Sequence, residues 1–288
     1  MAASDPILDL SDLVNLATGG GGGTPEQINI FKGAFVGGAA GGTHVAGRIT
    51  SLWQRDGNPS GAGTTAPTTS TVLTNASSGA LKQTTPGSGK KKRLLSIALV
   101  ALNAGSVIVY DRLVHTGGLS GTVTTAQTTN LPTSALTRRT TGVGVEHWLE
   151  IYTQIGATGT TVATSYTDDA GNTGNTSPLV SFGNTGFREA QRQLPIPVAV
   201  GDRGVRAVAS VTVTATTGTA GAFGVTLVYP LCIIPVPVAG IGNMWSGVLQ
   251  AGGPLDLGAD SDACIALSWH PNTTTATELF GHAFFIEK

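Results

Sequence analysis

From Ala207 to Leu255 the chain carries no Asp, Glu, Lys, Arg or His, and no Lys or Arg follows Arg206 until Lys288. Within that stretch Val211-Thr-Val-Thr-Ala-Thr-Thr217 alternates apolar and hydroxyl residues with a period of two. That is strand spacing, with one dry face and one lightly polar face. Gly218-Thr-Ala-Gly221 supplies turn residues and Ala222–Tyr229 resumes the extended pattern, so the pair is predicted to be a hairpin. The apolar run Val225–Val238 falls short of the about 20 residues a membrane helix needs. It also contains Pro230, Pro235 and Pro237, each of which removes a backbone donor and clashes with a preceding helical turn. Leu94–Leu102 is shorter still. The neutral stretch is read as β-structure rather than a membrane span.

The same reading predicts further strands at Arg93–Leu102, Ser106–Val114, Val145–Ile155, Thr160–Thr167, Ser177–Phe182, Leu194–Val200, Met244–Leu249, Ala263–Trp269 and Leu279–Ile286, besides Val205–Thr217 and Ala222–Ile234. In Val145–Tyr152 the alternation places Val145, His147, Leu149 and Ile151 on one face. Glu146, Trp148, Glu150 and Tyr152 lie on the other, which is expected to be partly wet. Many short strands with Gly and Pro punctuation predict an all-β fold, a β-sandwich of jelly-roll-like type. One helix is predicted, over residues 4–17, with Ser4 or Asp5 as cap, Pro6 in the first turn, and an apolar face of Ile7, Leu10, Val14 and Ala17 beside Leu13. Gly19 to Gly23 follow at once. Two readings stand: a docking peptide on a flexible tether, with Ile7, Leu10, Leu13 and Val14 gripping a partner, or a helix folded back on its own domain. Residues 1–23 are thus taken as anchor and tether, 24–90 as an extended Gly-rich arm with short strands, and 91–288 as the sandwich body. Residues 55–90 are too long for an ordinary loop, so part of them is expected to lie along another surface.

Composition sharpens this picture. Charged residues make up 11% of the 288-residue chain, against roughly 25% in ordinary soluble domains. A surface of Thr, Ser and Asn is wettable yet is easily buried in an assembly, because few charges need desolvation. The net charge of −1 gives no global case for nucleic acid or an anionic membrane. The run Lys90-Lys-Lys-Arg93 offers contacts to phosphate or to an acidic partner, but it lacks a second basic cluster or aromatic interleaving, and a solvated strand entry is favoured. Cys232 and Cys264 are read as buried free thiols, with a disulfide as the alternative. The N-terminus, with Asp5, Asp9 and Asp12, has the wrong charge for a secretory signal.

Catalytic templates are not met. Gly87-Ser-Gly-Lys90 lacks the glycine a phosphate loop needs at position 84, and there is no Gly-x-Ser-x-Gly elbow. The histidines are scattered, and Asp256, Asp260 and Asp262 read as turn acids before they read as a calcium site. No catalytic residue, cofactor or metal is expected.

Ile108-Val-Tyr-Asp-Arg-Leu-Val-His-Thr-Gly-Gly-Leu-Ser-Gly-Thr-Val-Thr-Thr-Ala-Gln127, Trp148-Leu-Glu-Ile-Tyr152, Ala163–Pro178 and Ser51-Leu-Trp53 give residues 50 to 180 a texture that resembles virion structural proteins of tailed bacteriophages. The resemblance implies a multi-copy particle component and transfers no functional residues. The expected function is a non-enzymatic capsid decoration or cement protein, partnered by major capsid protein or other virion subunits. It would be a homo-oligomer, a trimer being favoured, in a virion assembled in the bacterial host cytoplasm. The alternatives are a neck, collar or tail component, or a receptor- or glycan-binding tip in which Trp148, Tyr152 and the loop 116–144 stack on sugars. Val211, Thr212, Val213 and Thr214 are the expected oligomer interface.

Overall fold

The computed structural model describes residues 10–35, 44–62, 67–129, 131, 136–247, 255–256 and 262–287. Three antiparallel sheets account for the strands. One outer sheet runs in the order β15 (Asn243–Ser246), β5 (Lys92–Ala101), β18 (Thr277–Glu287), β1 (Glu26–Phe35) and β3 (Gly57–Asn58), with β16 (Leu255–Asp256) also on β5. The central sheet runs β12 (Gln193–Ile196), β8 (Glu146–Thr153), β14 (Ala222–Val236), β6 (Gly105–Leu119), β17 (Ile265–Pro271) and β2 (Thr50–Ser51), with β4 (Thr71–Val72) on β6. The other outer sheet runs β10 (Asn175–Thr176), β9 (Thr160–Asp168), β13 (Val205–Val213) and β7 (Gln127–Thr128), with β11 (Val180–Phe182) on β9. The all-β sandwich class expected from the patterning is present, built as three sheets.

The central sheet curls until its edges meet. Thr50 bridges Arg192, Ser51 N donates to Gln191 O at 2.8 Å, and Gln193 N donates to Ile49 O at 3.0 Å. Across the inside, Gln193 Nε2 and Ser268 Oγ both donate to Tyr110 Oη, at 3.1 and 3.3 Å, tying β12, β17 and β6 together. Strand alternation then separates two surfaces. Val107, Val109, Ile265, Leu267 and Trp269 face outward and pack with Leu94, Ile97, Leu99, Leu279 and Phe285 of the first outer sheet. Leu149, Ile151, Phe223, Val225 and Leu227 also face outward and pack with Val162, Tyr166, Val205, Val211 and Val213 of the second. The intervening residues Ile108, Tyr110, Trp148, Val228, Cys264 and Ala266 face inward, where Trp53, Leu73 and Ala80 from the long arm complete a third cluster. The surface along which the arm lies is therefore the chain's own sheet.

The long strand β14 serves both cores. It gives odd-numbered residues to one (Phe223, Val225, Leu227) and even-numbered residues to the other (Ile234, Val236). Without a one-residue shift Ile234 and Val236 would turn to the wrong face, and a bulge supplies the shift: Pro230 pairs with Tyr110 and Cys232 with Val109, leaving Leu231 over.

The predicted hairpin of Val211–Thr217 with Ala222–Tyr229 is not formed. β13 pairs with β9 and β7, β14 with β6 and β8, so the turn between them carries the chain from one sheet to another. Period two fixed which side chains of each strand face inward, and that holds for both strands. It carries no information on which strand lies alongside.

The helix α1 (Leu10–Ala17) buries Leu13 and Leu16, one turn apart, and contacts β18, while Val14 is exposed. Ile7 lies outside the described residues, and Leu10 opens the helix. The buried stripe is thus Leu13 and Leu16 rather than Val14 and Ala17. The glycines form a tight reversal instead of a loose tether. Gly20 N donates to Asn15 O at 2.7 Å and Gly19 N to Leu16 O at 3.1 Å, the paired bonds of a Schellman cap, with Gly19 at φ 85°. A Cβ on Gly20 would lie 1.8 Å from the Asn15 side chain, so the turn admits no larger residue without displacing it. Thr24 N then bonds Glu287 O at the start of β1.

Inside the curl lies an ion pair, Arg112 Nη1 to Glu150 Oε2 at 2.6 Å, with both side chains 0% exposed. The Arg112 guanidinium also lies 4.6 Å over the Trp53 ring, and Thr226 Oγ1 donates to Glu150 Oε2 at 3.3 Å. Removing one partner strands the other charge in the interior, so Glu150→Ala should lose about 3–5 kcal/mol of stability. The double replacement Arg112→Met with Glu150→Leu should cost less than the two single losses added together; urea denaturation of the four proteins measures this.

His147 sits in the second core, its ring 5.4 Å from that of Tyr166 and its Nε2 2.8 Å from Thr164 Oγ1. Burial pushes its pKa from 6.5 down to about 3, so the folded state holds it neutral. The unfolded chain takes up this proton below about pH 6.5 and the folded chain does not. Stability from this group is complete above that pH and is lost as pH falls toward 3. The loss should approach about 1.4 kcal/mol per pH unit, and His147→Gln should flatten the slope in denaturation titrations between pH 6.5 and 4.

Candidate assembly surfaces

The chemistry-bearing side chains that cluster most densely are sealed. On the inner face of the central sheet His115 Nδ1 lies 3.0 Å from Thr226 Oγ1 and 3.3 Å from Arg112 Nη2, and its ring nitrogens also meet Tyr152 Oη. Burial, reinforced by the Arg112 charge, holds the His115 pKa well below its ordinary value. Burial and the neighbouring Glu150 hold the Tyr152 phenol well above its own. Burial opposes the charge on Arg112, but Glu150, Tyr152 and Tyr110 outweigh it and raise its pKa. Each residue of the group is 4% exposed or less. Its chemistry is structural.

The face of Glu146, Trp148, Glu150 and Tyr152, expected to be partly wet, is wet at Glu146 alone. Only Glu146 is exposed; the other three line the inside of the curl. Trp148 packs against Tyr110 with ring centres 5.1 Å apart and donates from Nε1 to Glu146 Oε2 at 2.7 Å. Neither Trp148 nor Tyr152 presents a ring to a sugar. Within the charge run at 90–93 Lys92 is buried, its Nζ 2.7 Å from Glu26 Oε2 and 3.6 Å from Glu287 Oε2, while half-exposed Lys90 has its Nζ 3.5 Å from Glu287 Oε1. These contacts clasp β1, β5 and β18 at one end. Cys232 and Cys264 are free thiols, each raised to about 12 by burial. Asp262 faces Arg138 at 3.5 Å, Asp260 lies outside the described residues, and among the described residues no cluster suits a metal ion.

Each outer sheet offers a patch of its exposed face without charge. On the first outer sheet three successive cross-strand rows read Val100–Phe280–Phe31, Met244–Ala98–His282–Asn29 and Ser96–Phe284–Gln27. None contains Asp, Glu, Lys or Arg. The Phe31 and Phe280 rings lie 5.3 Å apart, and Phe31, Phe280 and Met244 are all exposed, with Ile241 beside them at 57%. Small residues, Ala98, Gly242 and Gly281, leave a shallow groove between Val100, Met244 and His282. Apolar side chains on both faces of β18, with Leu279 and Ala283 inward and Phe280 and Phe284 outward, are the signal in the sequence that marks this face. The sequence reading did not pick it out.

The second outer sheet presents hydroxyls. Thr128–Ser210–Ser165–Thr176 form one row across four strands, and Thr212–Ala163 and Thr214–Thr161–Ser181 form the next two, with Thr214 Oγ1 donating to Thr161 O at 3.1 Å. Thr212 is half-buried and Thr214 exposed on this outer face. Val211 and Val213 are 0% exposed in the chain's own second core, so they support the sheet from within and do not belong to a surface another molecule can reach. Of the four residues expected at an interface, the two threonines are placed where they can serve.

No family model matches the chain, and no curated protein matches it. Solved structures similar to it are of infectious bursal disease virus: the Gt strain at 12% identity, covering 91% of this chain and 80% of that chain with a TM-score of 0.19; the VP2 subviral particle at 10%, covering 91% and 80%, with 0.17; and the T=1 particles at 9%, covering 91% and 77%, with 0.18. At these TM-scores the likeness carries no argument about fold or function.

Proposed function

We propose that the chain is a non-enzymatic structural subunit of a virus particle, and within that class a bacteriophage capsid decoration or cement protein that binds neighbouring head subunits. The observation that carries this reading is a pair of charge-free patches, one aromatic and one hydroxylic, on the outer faces of the two sheets flanking a closed central sheet. An isolated soluble chain keeps its exposed sheet faces charged, because charge opposes edge and face association. Here, in a chain with 11% charged residues, several acids and bases are drawn into internal clasps, and these patches are left to be covered. Partners are further copies of this chain, a trimer being the favoured state, and major capsid protein or other virion subunits, with the particle assembled in the bacterial cytoplasm. A glycan-binding tip resting on Trp148 and Tyr152 loses its support, since both are buried.

Assembly through these faces gives unequal responses to charge. Phe280→Glu and Thr212→Lys should each leave the thermal unfolding midpoint within a few degrees of the parent, because each site is outside the cores. Each should lower the oligomer fraction in sedimentation velocity, or incorporation into particles, by about tenfold or more, since an unpaired charge must be desolvated in the contact. Full assembly by both variants would sink the proposal.

A further inference from the structure

The seam at which the central sheet closes carries a cleft of about 330 Å³, lined by Arg48, Ile49, Val180, Phe187, Arg192 and His270 among others. Arg48 is in the loop just before β2. Its guanidinium carbon lies 4.0 Å from the Phe187 ring centre, a cation–π contact that holds the group at the cleft. Among the described residues no Asp or Glu lies within ion-pair distance of it.

Arg192 forms the floor and is 1% exposed. Its Nη1 donates to Arg48 O at 3.2 Å and to Thr50 Oγ1 at 3.2 Å, which seals the seam, and its Nη2 meets Glu189 Oε2 at 3.4 Å. Its Nε is buried with no hydrogen-bond partner among the described residues. Glu189 is shared, since it also accepts from Gly186 N at 2.9 Å and Arg188 N at 3.3 Å. Burial and the like charge of Arg48 lower the Arg192 pKa against the pull of Glu189, so the two guanidiniums are close enough to repel. Two cations and one carboxylate leave a local excess of one positive charge. Ile49, Val180, Leu194 and Pro195 supply an apolar stretch of the wall, and Gln193 and His270 also line it.

We infer that this cleft binds a carboxylate carried on an apolar group, its two oxygens meeting the Arg48 fork and its apolar part lying against Val180, Leu194 and Pro195. A planar monoanion matches both the fork and the single excess charge. A phosphate dianion would bring one charge more than Arg48 and Arg192, offset by Glu189, compensate. The carboxylate has two sources, the C-terminus of a partner polypeptide ending in an apolar residue, or a free small acid. The inference does not depend on the assembly reading and stands or falls separately from it.

The test is isothermal titration of the full chain at low salt with four probes: N-acetyl-alanyl-leucine, its C-terminal amide, 3-phenylpropionate and inorganic phosphate. A saturable Kd for at least one carboxylate, with the amide and phosphate weaker by about tenfold or more, is expected from loss of the charge-assisted pair. Arg48→Gln should weaken the carboxylate by a similar factor, and Arg48→Lys should weaken it too, because the point charge lacks the planar fork. Unchanged thermal unfolding of both variants shows that the seam is intact. Preference for the dipeptide identifies a chain terminus as the occupant; equal or better binding of 3-phenylpropionate identifies a small acid. No binding by either carboxylate, equal binding of the amide or phosphate, or an Arg48→Gln variant that binds like the parent overturns the inference.

Discussion

Closure of the central sheet is the constraint from which the rest of the structure follows. Once β2 meets β12, one face of every central strand is turned inside, and whatever polar groups lie there must satisfy one another without water. The Arg112–Glu150 pair does this in part, with Thr226, Tyr152 and His115 around it and the Trp53 ring beneath the guanidinium, while Arg112 Nε and Glu150 Oε1 stay without a hydrogen-bond partner among the described residues. A second buried pair crosses from the loop at Arg138 to Asp111, with Nε–Oδ2 at 3.1 Å and Nη2–Oδ1 at 2.9 Å. Asp111 also accepts from Cys264 N at 2.8 Å, which fixes β17 against β6 between the residues that β6 gives to the two cores. Hydrophobic packing alone would stabilise a range of curls; a bidentate pair with few alternative geometries selects one.

The outer surface is the counterpart of that interior. A chain with few charges that places Arg112, Arg138, Arg192, Lys92, Asp111 and Glu150 inside has few left for its sheet faces. Arg203 and Asp169 close the turn after β9 on themselves, at 2.8 Å. The faces around Phe280 and around Thr212 are uncharged as a result. Low charge content, internal ion pairs and association through flat sheet faces are thus one arrangement seen at three levels.

Much of this was legible along the chain. The strand around Arg93–Leu102 appears as β5, the Thr-alternating segment as β13, and the inward parity of Val211 and Val213 was set by period two. Strand partners were not legible. β13 and β14 are separated by a turn that looks like a hairpin, and only the long-range pairing of β14 with β6 sends them apart. The inner face was hidden for a related reason. Trp148, Glu150 and Tyr152 alternate with apolar residues as a wet face does, and their burial depends on Arg112, far away in sequence, arriving beside them. Likewise Gly19–Gly23 read as slack because glycine permits it, whereas the bonds from Gly19 and Gly20 to the end of α1 use the same freedom to close a turn.

The central claim is that the uncharged outer faces are covered in the working state of the protein. Hydroxyl-radical footprinting of the free chain against the assembled particle measures this at single residues. Met244 and Phe280 should lose most of their oxidation on assembly, while Val200, fully exposed at a turn tip, keeps its own in both states. Equal oxidation of Met244 and Phe280 in the free and assembled protein would contradict the account.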